Sequence, residues 1–321
     1  GNSKRISKAE KRKRRIMSQE NHHGLLLVDK PTGWTSHDLV NWARKIFQTR
    51  RVGHCGTLDP LASGLMVLLI GEATKLSNYI LEKDKAYRVS VKLGTTTDTL
   101  DTTGAVLTTA AYDHLNENQI REMAIMLQGE FQLPVPIYSA VKIGGVKLHE
   151  YARKGEKVEQ PLKIMKFWDL QIQSQTIGEI VIHMRCTKGS YIRAWVSEFG
   201  QKLGCGAVMS GLVRTESLPY SLSQTSTVQQ IEDIKSLPEV ARKLIKISDV
   251  LPDYRSIQIQ PQDEGMLANG QISNGLKSQL ISLFKPDQTS FKAISSTSGK
   301  LLALIGLDPN RGFVIRRGFR Y

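Results

Sequence analysis

The sequence has few cysteines and no long hydrophobic segment. Cys55, Cys186 and Cys205 are odd in number and far apart, so neither a disulfide framework nor a structural zinc site is expected. Their scarcity favours a reducing, cytoplasmic location. The longest apolar stretch, residues 65–70, is far shorter than the roughly 18 residues that a membrane-spanning helix needs. The basic N-terminus is not followed by the apolar core of a secretory signal.

Three kinds of chemical signature are also missing. The chain has no glycine fingerprint for phosphate binding, no Cys/His metal cluster and no defensible Ser-His-Asp arrangement. No cofactor and no metal are therefore expected. The chemistry must come from other side chains.

The charge is strongly positive. The formal net charge is +14, and residues 1–15 alone hold eight basic side chains against Glu10, which is half of the excess. The remaining chain is still basic, which favours a polyanionic partner such as nucleic acid. A solubilising tail on an ordinary basic protein is the alternative, and charge alone does not separate the two. Residues 1–23 are polar and are expected to form a disordered arm.

Hydrophobic periodicity predicts an alternation of strands and helices without regular order. A capping box at Thr35 and Asp38 starts a helix that reaches about Phe47. Residues 48–63 are expected to be a loop. Strands are expected over residues 24–28, 65–70, 87–93, 164–173 and 179–186, the last two paired, and helices over 72–82, 116–127, 191–203 and 228–237.

The composition changes near residues 251–253. Short apolar segments broken by Gly and Asn follow, over residues 265–270, 291–294, 301–307 and 312–315, and predict a small β-rich domain. The fold class expected from the whole chain is α+β. Its expected division is an arm over 1–23, a large domain over 24–250 and a small domain over 251–321.

The densest motif is residues 52–64, VGHCGTLDPLASG. Its three glycines permit tight turns and a close approach of ligand to backbone. Pro60 pushes Asp59 toward an extended conformation. The loop can therefore display one carboxylate as an active-site group, although an Asp-Pro pair is also typical of a simple turn.

This motif resembles the catalytic loop of the TruB family of pseudouridine synthases, in which the aspartate is the nucleophile. Further segments resemble family motifs in the same order: LVDKPTG at 27–33, KAY at 85–87, YSAVKIGGVKLHEYARKG at 138–155, CTKGSYIR at 186–193 and LVRT at 212–215. The resemblance covers roughly residues 24–321. It implies a mixed-sheet catalytic domain with a thumb insertion over about 132–160 and a small C-terminal PUA-like β-barrel that binds RNA.

The resemblance also implies roles for individual residues. Asp59 is the expected nucleophile, since a carboxylate is ionised at neutral pH and needs no adjacent base. Arg193 is its expected cationic partner. Tyr87 is expected to stack on the extruded uracil and to relay the C5 proton. From the residues alone, Arg193 could instead be a surface arginine on a helix, and Tyr87 could be a strand tyrosine packed in the core.

Other residues are expected to bind the RNA or to support the site. Tyr191 and Leu212 are expected to line the pocket. His54 is expected to fill the space that the flipped base leaves in the RNA stack, and Lys30 is expected to support the pocket from behind. The thumb is expected to contact the RNA backbone through Lys142, Lys147 and Arg153.

The implied reaction is the isomerisation of uridine 55 in the T-loop of tRNA, after that base has left its stack. The expected partner is the T-arm of tRNA, bound by a monomer with no membrane and no obligate protein partner. Two other functions are compatible with parts of the sequence. A guide-RNA-dependent subunit of H/ACA particles lacks the thumb, and a non-catalytic tRNA chaperone would not need the loop carboxylate.

Overall fold

The computed structural model describes residues 22–156, 158–176 and 178–321. The strands in this part of the chain are β1 (Gly24–Lys30), β2 (Val52–Cys55), β3 (Ala62–Ile70), β4 (Lys85–Leu93), β5 (Thr95–Thr97), β6 (Val106–Thr109), β7 (Gly129–Pro134), β8 (Lys142–Ile143), β9 (Val146–Lys147), β10 (Leu162–Thr176), β11 (Glu179–Cys186), β12 (Ala207–Ser217), β13 (Tyr220–Ser221), β14 (Ser226–Thr227), β15 (Arg255–Ile259), β16 (Ser290–Ser295), β17 (Leu301–Asp308) and β18 (Gly312–Gly318).

The α-helices are α1 (Ser36–Ile46), α2 (Ser77–Leu81), α3 (Glu117–Met126), α4 (Leu148–Arg153), α5 (Ile192–Leu203), α6 (Val228–Glu232), α7 (Leu237–Ala241), α8 (Pro261–Ala268) and α9 (Asn274–Leu283). Short 3-10 turns cover Gly71–Leu76, Leu222–Gln224 and Ile247–Asp249.

A ten-stranded mixed sheet forms the centre of the fold. Its order is β14-β1-β3-β12-β4-β11-β10-β7, with β2 paired to β3 and β13 paired to β12. β3 and β12 run parallel, whereas β4 is antiparallel to both β12 and β11. The mixed sheet and its helices confirm the α+β prediction.

Both faces of β1 and β3 are buried, which explains their nearly continuous apolar sequences. Met66 and Leu68 pack with α1 and α5 in one core cluster. Val67 and Leu69, which alternate with them, pack in a second cluster with residues of β16 and β17. The main sheet is therefore covered by helices on one side and by the C-terminal segment on the other.

The C-terminal segment is built on a four-stranded sheet of order β15-β16-β17-β18, as expected for the PUA-like unit. The expected strand at residues 265–270 is wrong, because residues up to Ala268 belong to α8. Pro261 occupies the first turn of that helix, where its missing N–H costs nothing. Short apolar runs do not by themselves distinguish a strand from a helix.

The other predicted helices, strands and loops agree with the structure in part. The Thr35–Asp38 capping box of α1 is present, and β10 and β11 pair as predicted. The expected loop over residues 48–63 contains β2, whose four residues are too few to show an alternation. The predicted helix over 72–82 is a 3-10 turn followed by α2, and the one over 228–237 is broken between α6 and α7.

The last residues of the chain contact Glu72, in the 3-10 turn that follows β3. The backbone N–H of Arg320 donates to Glu72 Oε2 at 2.8 Å, and Lys75 Nζ donates to the carbonyl of Gly318 at 2.8 Å. Arg51 and Lys75 form ion pairs with the buried Glu72 carboxylate. His23 Nδ1 accepts from the Glu72 backbone N–H at 3.0 Å.

The predicted basic arm mostly lies outside the described residues, which begin at His22. In the part of the chain that the structure describes, no helix is long and apolar enough to cross a membrane.

Candidate active site

The loop that carries Asp59 connects β2 to β3 and is tied to the start of α1. Ser36 Oγ accepts from the Leu58 backbone N–H at 2.9 Å and donates to the Leu58 carbonyl at 3.0 Å. The Gly33 N–H donates to the carbonyl of Pro60 at 2.7 Å. The 27–33 motif and the aspartate loop therefore form one hydrogen-bonded unit, which limits how far the Asp59 backbone can move.

Two glycines of the 52–64 motif, Gly56 in the loop and Gly64 in β3, are required by their geometry. Gly56 has φ +76, and a Cβ there would stand 3.0 Å from Arg214 Nη1. Gly64 has φ +101, and its Cβ would stand 2.4 Å from the carbonyl oxygen of Arg214. Only glycine combines a left-handed backbone with so close an approach. Gly53, which has ordinary strand geometry, is not constrained in this way.

Asp59 is paired with Arg193, the second residue of α5. Arg193 Nε lies 3.1 Å from Asp59 Oδ2, and the two side chains are 8% and 38% exposed respectively. Arg193 Nη1 donates to the Thr99 carbonyl at 3.0 Å, and Nη2 donates to the Tyr138 carbonyl at 2.9 Å. All three guanidinium nitrogens are engaged, so the cation is held rigidly while the carboxylate remains open to the cavity.

The cavity beside this pair has a volume of about 280 Å³ and is lined by Asp59, Tyr87, Tyr191, Arg193 and Leu212. This is near the lower end of the range of roughly 300–1,000 Å³ for small-molecule pockets. Two aromatic rings, one branched apolar side chain and an ion pair suit a flat polar ring such as a nucleobase.

The two tyrosines of the cavity have perturbed acidities. Burial raises the pKa of Tyr87, while the guanidinium of Arg214 acts in the opposite direction. Burial also raises the pKa of Tyr191, and Lys163 Nζ lies 5.9 Å from the Tyr191 ring centroid, within the distance for a cation–π interaction. Both phenols are therefore protonated at neutral pH in the resting protein.

Lys30 and His54 lie outside the cavity lining. Lys30 is fully buried, and its Nζ donates to the carbonyls of Pro31 and Trp34. Burial lowers the pKa of Lys30 to about 8, and the charge of Asp59 opposes that shift. His54 is half-buried in β2, where burial and nearby Arg214 lower its pKa. Its Nδ1 has no hydrogen-bond partner among the described residues.

The thumb emerges from the β7–β10 hairpin at the edge of the sheet. It consists of β8, β9 and α4. Lys142 and Lys147 face each other across β8 and β9, and Lys142 and Arg153 are exposed. None of these three residues lines the cavity, but the base of the thumb does, through Ser139 and Ala140.

Arg214 is a residue of the site that the sequence prediction missed. It is 1% exposed and lines the cavity. The prediction named Leu212 in the LVRT segment, and side chains at i and i+2 of a strand share a face. Strand alternation from Leu212 was therefore the signal that could have identified Arg214.

Two carbonyls and a buried lysine were also missed. The Thr99 and Tyr138 carbonyls are backbone groups, which no side-chain pattern reveals. Lys85 is buried at the cavity and donates to the carbonyl of Leu81 at 2.9 Å. Cys186 also lines the cavity, but burial raises its pKa to about 12, so it is not a competing nucleophile.

Comparison with known proteins identifies the family. Residues 44–192 match the family model described as TruB family pseudouridylate synthase, N-terminal domain. The chain is 50% identical over 307 residues to a tRNA pseudouridine synthase B of Bdellovibrio bacteriovorus, covering 95% of this chain and 100% of the relative. It is 35% identical to a protein of the same name from Staphylococcus epidermidis, covering 92% of this chain and 98% of the relative.

The fold also matches a chain in the crystal structure of a Cbf5-Nop10-Gar1 complex, with a TM-score of 0.66 and 20% identity over 95% of this chain and 86% of that chain. At this identity the likeness shows the fold alone. Sequence identity over nearly the whole chain, together with an aspartate–arginine pair at an aromatic cavity, leads to one conclusion: the chain belongs to the TruB family of pseudouridylate synthases.

Proposed function

We propose that this protein isomerises uridine 55 in the T-loop of tRNA to pseudouridine, with Asp59 as the nucleophile. The observation that carries the proposal is the contact of 3.1 Å between Arg193 Nε and Asp59 Oδ2 at the mouth of the cavity. Relatives that overlap nearly the whole chain are named tRNA pseudouridine synthase B, which supports tRNA as the substrate.

The ion pair provides what a carboxylate nucleophile needs. The guanidinium of Arg193 places a fixed positive charge against the Asp59 carboxylate and holds that carboxylate in one orientation at the cavity. The carboxylate can then form a covalent bond with the everted nucleotide as the C1′–N1 bond breaks, and that covalent bond breaks again, which frees Asp59, when the C1′–C5 bond is formed. Arg193 is held by two carbonyls, so it does not have to reorganise during the reaction.

Tyr87, Tyr191 and Leu212 would hold the extruded uracil. A base stacked on an aromatic ring gains roughly 1–3 kcal/mol, which offsets the few kcal/mol that base flipping costs. His54, on β2 beside the aspartate loop, would occupy the gap in the RNA stack, and buried Lys30 would support the loop from behind.

RNA binding would use the thumb and the C-terminal segment. Lys142, Lys147 and Arg153 would contact phosphates and position the T-arm without reading its sequence. We assign residues 24–250 to the catalytic domain, with the thumb at about 132–160, and 251–321 to a PUA-like RNA-binding domain. The protein would act as a monomer in the cytoplasm, without a cofactor.

The thumb favours a stand-alone enzyme over a guide-RNA-dependent subunit. β8, β9 and α4 occupy the position at which the TruB resemblance places the insertion. A non-catalytic chaperone would gain nothing from a carboxylate held by a buried arginine at a base-sized cavity, although tRNA folding activity is compatible with catalysis.

One experiment tests the assignment directly. The purified protein alone is incubated with an unmodified tRNA transcript, and pseudouridine is mapped along the RNA. Wild type should modify uridine 55, whereas Asp59→Asn should bind the transcript with similar affinity and produce no pseudouridine. Turnover by Asp59→Asn would refute the nucleophile assignment, and modification at another position would refute the assigned substrate site.

A further inference from the structure

Arg214 is a buried cation without a buried anion. It forms no ion pair with any Asp or Glu in the described part of the chain. Its Nε donates to the Leu65 carbonyl at 2.7 Å, and its Nη2 donates to the Gly56 carbonyl at 3.1 Å. An unpaired buried charge is costly, so a buried arginine on β12 beside the aspartate loop calls for a role that a neutral side chain would not fill.

Strand pairing places Arg214 directly opposite Tyr87. In the antiparallel register of β12 with β4, Arg214 is the partner of Tyr87 and Leu212 is the partner of Val89. Residues opposite each other on one face of a sheet have Cβ atoms about 4.5–5.5 Å apart. Both side chains line the cavity, so the guanidinium reaches the region of the Tyr87 phenol from the cavity floor.

The ionisable groups that face Tyr87 differ in sign. Arg214 faces it from β12, Cys186 from β11 and Asp59 from the aspartate loop. Arg193 lines the same cavity, but Asp59 neutralises its charge. Lys85, two residues before Tyr87 on β4, also lines the cavity, and its Nζ donates to the carbonyls of Leu81 and Lys83. Arg214 is the cation that lies directly opposite Tyr87 in the strand pairing and has no carboxylate partner among the described residues.

We propose that Arg214 is a positioning residue that acts through Tyr87: it directs the phenol proton into the cavity and stabilises negative charge on the phenol oxygen during proton transfer. A guanidinium only donates hydrogen bonds, so a phenol oxygen that accepts from it must point its own O–H elsewhere. This inference rests on the proposed function, because it concerns the proton that uracil loses from C5.

Over the whole reaction Tyr87 gives up one proton and takes back another. When the C1′–N1 bond breaks, the uracil leaves as an anion and N1 takes the phenol proton of Tyr87, which leaves a phenolate beside Arg214. When the C1′–C5 bond forms, the phenolate removes the C5 proton, and the C5–H electron pair restores the ring double bond. Tyr87 ends as a phenol, and the base has lost a proton at C5 and gained one at N1.

A double-mutant cycle separates action through Tyr87 from support of the loop. Single-turnover rates are measured for wild type, Tyr87→Phe, Arg214→Met and the double variant, with Arg214→Lys as a second variant in case the methionine protein fails to fold. General acid–base contributions are about 10²–10⁴-fold. If Arg214 acts through Tyr87, the double variant should be no slower than Tyr87→Phe, because interacting residues are non-additive.

The control is Arg185→Met. Arg185 lies on β11 one residue from the partner of Tyr87, so it belongs to the opposite face of the sheet, and its Nη1 is paired with Glu216 at 2.7 Å. Arg185→Met should leave the single-turnover rate unchanged. Combined with Tyr87→Phe, it should give the same rate as Tyr87→Phe alone.

A spectroscopic readout does not depend on turnover. A difluorotyrosine at position 87, whose phenol ionises nearer neutrality, is titrated by fluorine NMR in the full-length protein. Its ionisation should move to higher pH in Arg214→Met and by a smaller amount in Arg214→Lys, since lysine retains the charge. Additive rate losses or an unshifted titration would overturn the inference. If Arg214→Met shifts the titration but the wild-type protein makes no pseudouridine, the proposed function is overturned and the link between Arg214 and Tyr87 stands.

Discussion

Arg193→Lys tests whether the site depends on geometry or only on charge. The substitution keeps the positive charge but removes the planar fork that reaches Asp59, Thr99 and Tyr138 at once. A lysine ammonium is a compact point charge on a flexible stem. It cannot serve three acceptors that lie on three separate segments of the chain, so Asp59 should lose its fixed orientation.

The size of the expected loss of rate follows from the contacts that each substitution removes. A misplacement of about 1 Å at a reacting group lowers the rate by roughly 10²-fold, and we expect at least this loss for Arg193→Lys. Arg193→Met also removes the fixed charge, which should bring the loss to roughly 10²–10³-fold. The methionine variant leaves the Thr99 and Tyr138 carbonyls without their donor, so its free energy of unfolding should fall by about 1–3 kcal/mol.

The assay is single-turnover release of tritium from tRNA labelled at C5 of uridine, with tRNA affinity and urea denaturation measured in parallel. Lys202→Met is the matched control, because Lys202 lies on the same helix, exposed and paired only with Glu198. It should leave the rate unchanged. If Arg193→Lys keeps a rate within about threefold of wild type, the argument from orientation is wrong and charge alone is sufficient.

Three further predictions concern stability. Gly56→Ala should lower the free energy of unfolding by about 1–2 kcal/mol, because alanine is strained at a left-handed φ; urea denaturation should show almost no change for Gly53→Ala. Burial alone would raise the pKa of Glu72, but its hydrogen bonds to Lys75, Arg320 and Arg51 lower the pKa below the usual 4.5. The stability that Glu72 adds over Glu72→Gln should therefore be present above pH 4.5 and be lost as the pH falls further; a pH-independent difference in urea titrations would contradict this. The pKa of Lys30 falls from 10.5 to about 8 on folding, so the unfolded chain binds the extra proton between these values. Wild type should gain stability relative to Lys30→Met as the pH rises through that window, and a difference that stays constant there would show that Lys30 keeps its proton in the fold.

Several features of this protein follow from sequence because their causes are local. The capping box at Thr35 and Asp38 needs only residues three apart, and the apolar run of β3 is readable because both faces of that strand are buried. The motif around Asp59 pointed to a loop that lines the cavity, and the segments that resemble TruB motifs follow one another along the chain in the order of the family. These observations led to the family and to the expected partners Arg193, Tyr87, Tyr191 and Leu212.

The sequence alone determined that the chain is a basic α+β protein, and it offered Asp59, Tyr87, Tyr191, Arg193 and Leu212 as candidate site residues. The tertiary structure decided the rest, because the site is assembled by strands and helices that are distant in sequence. The order β3-β12-β4-β11 brings Arg214 under the aspartate loop and opposite Tyr87. The carbonyls of Thr99 and Tyr138 fix Arg193 through backbone atoms that every residue carries, so only their positions in space reveal them. The sequence gives the identity of each side chain. The distances between side chains, and the burial that sets their charge and orientation, depend on the folded sheet.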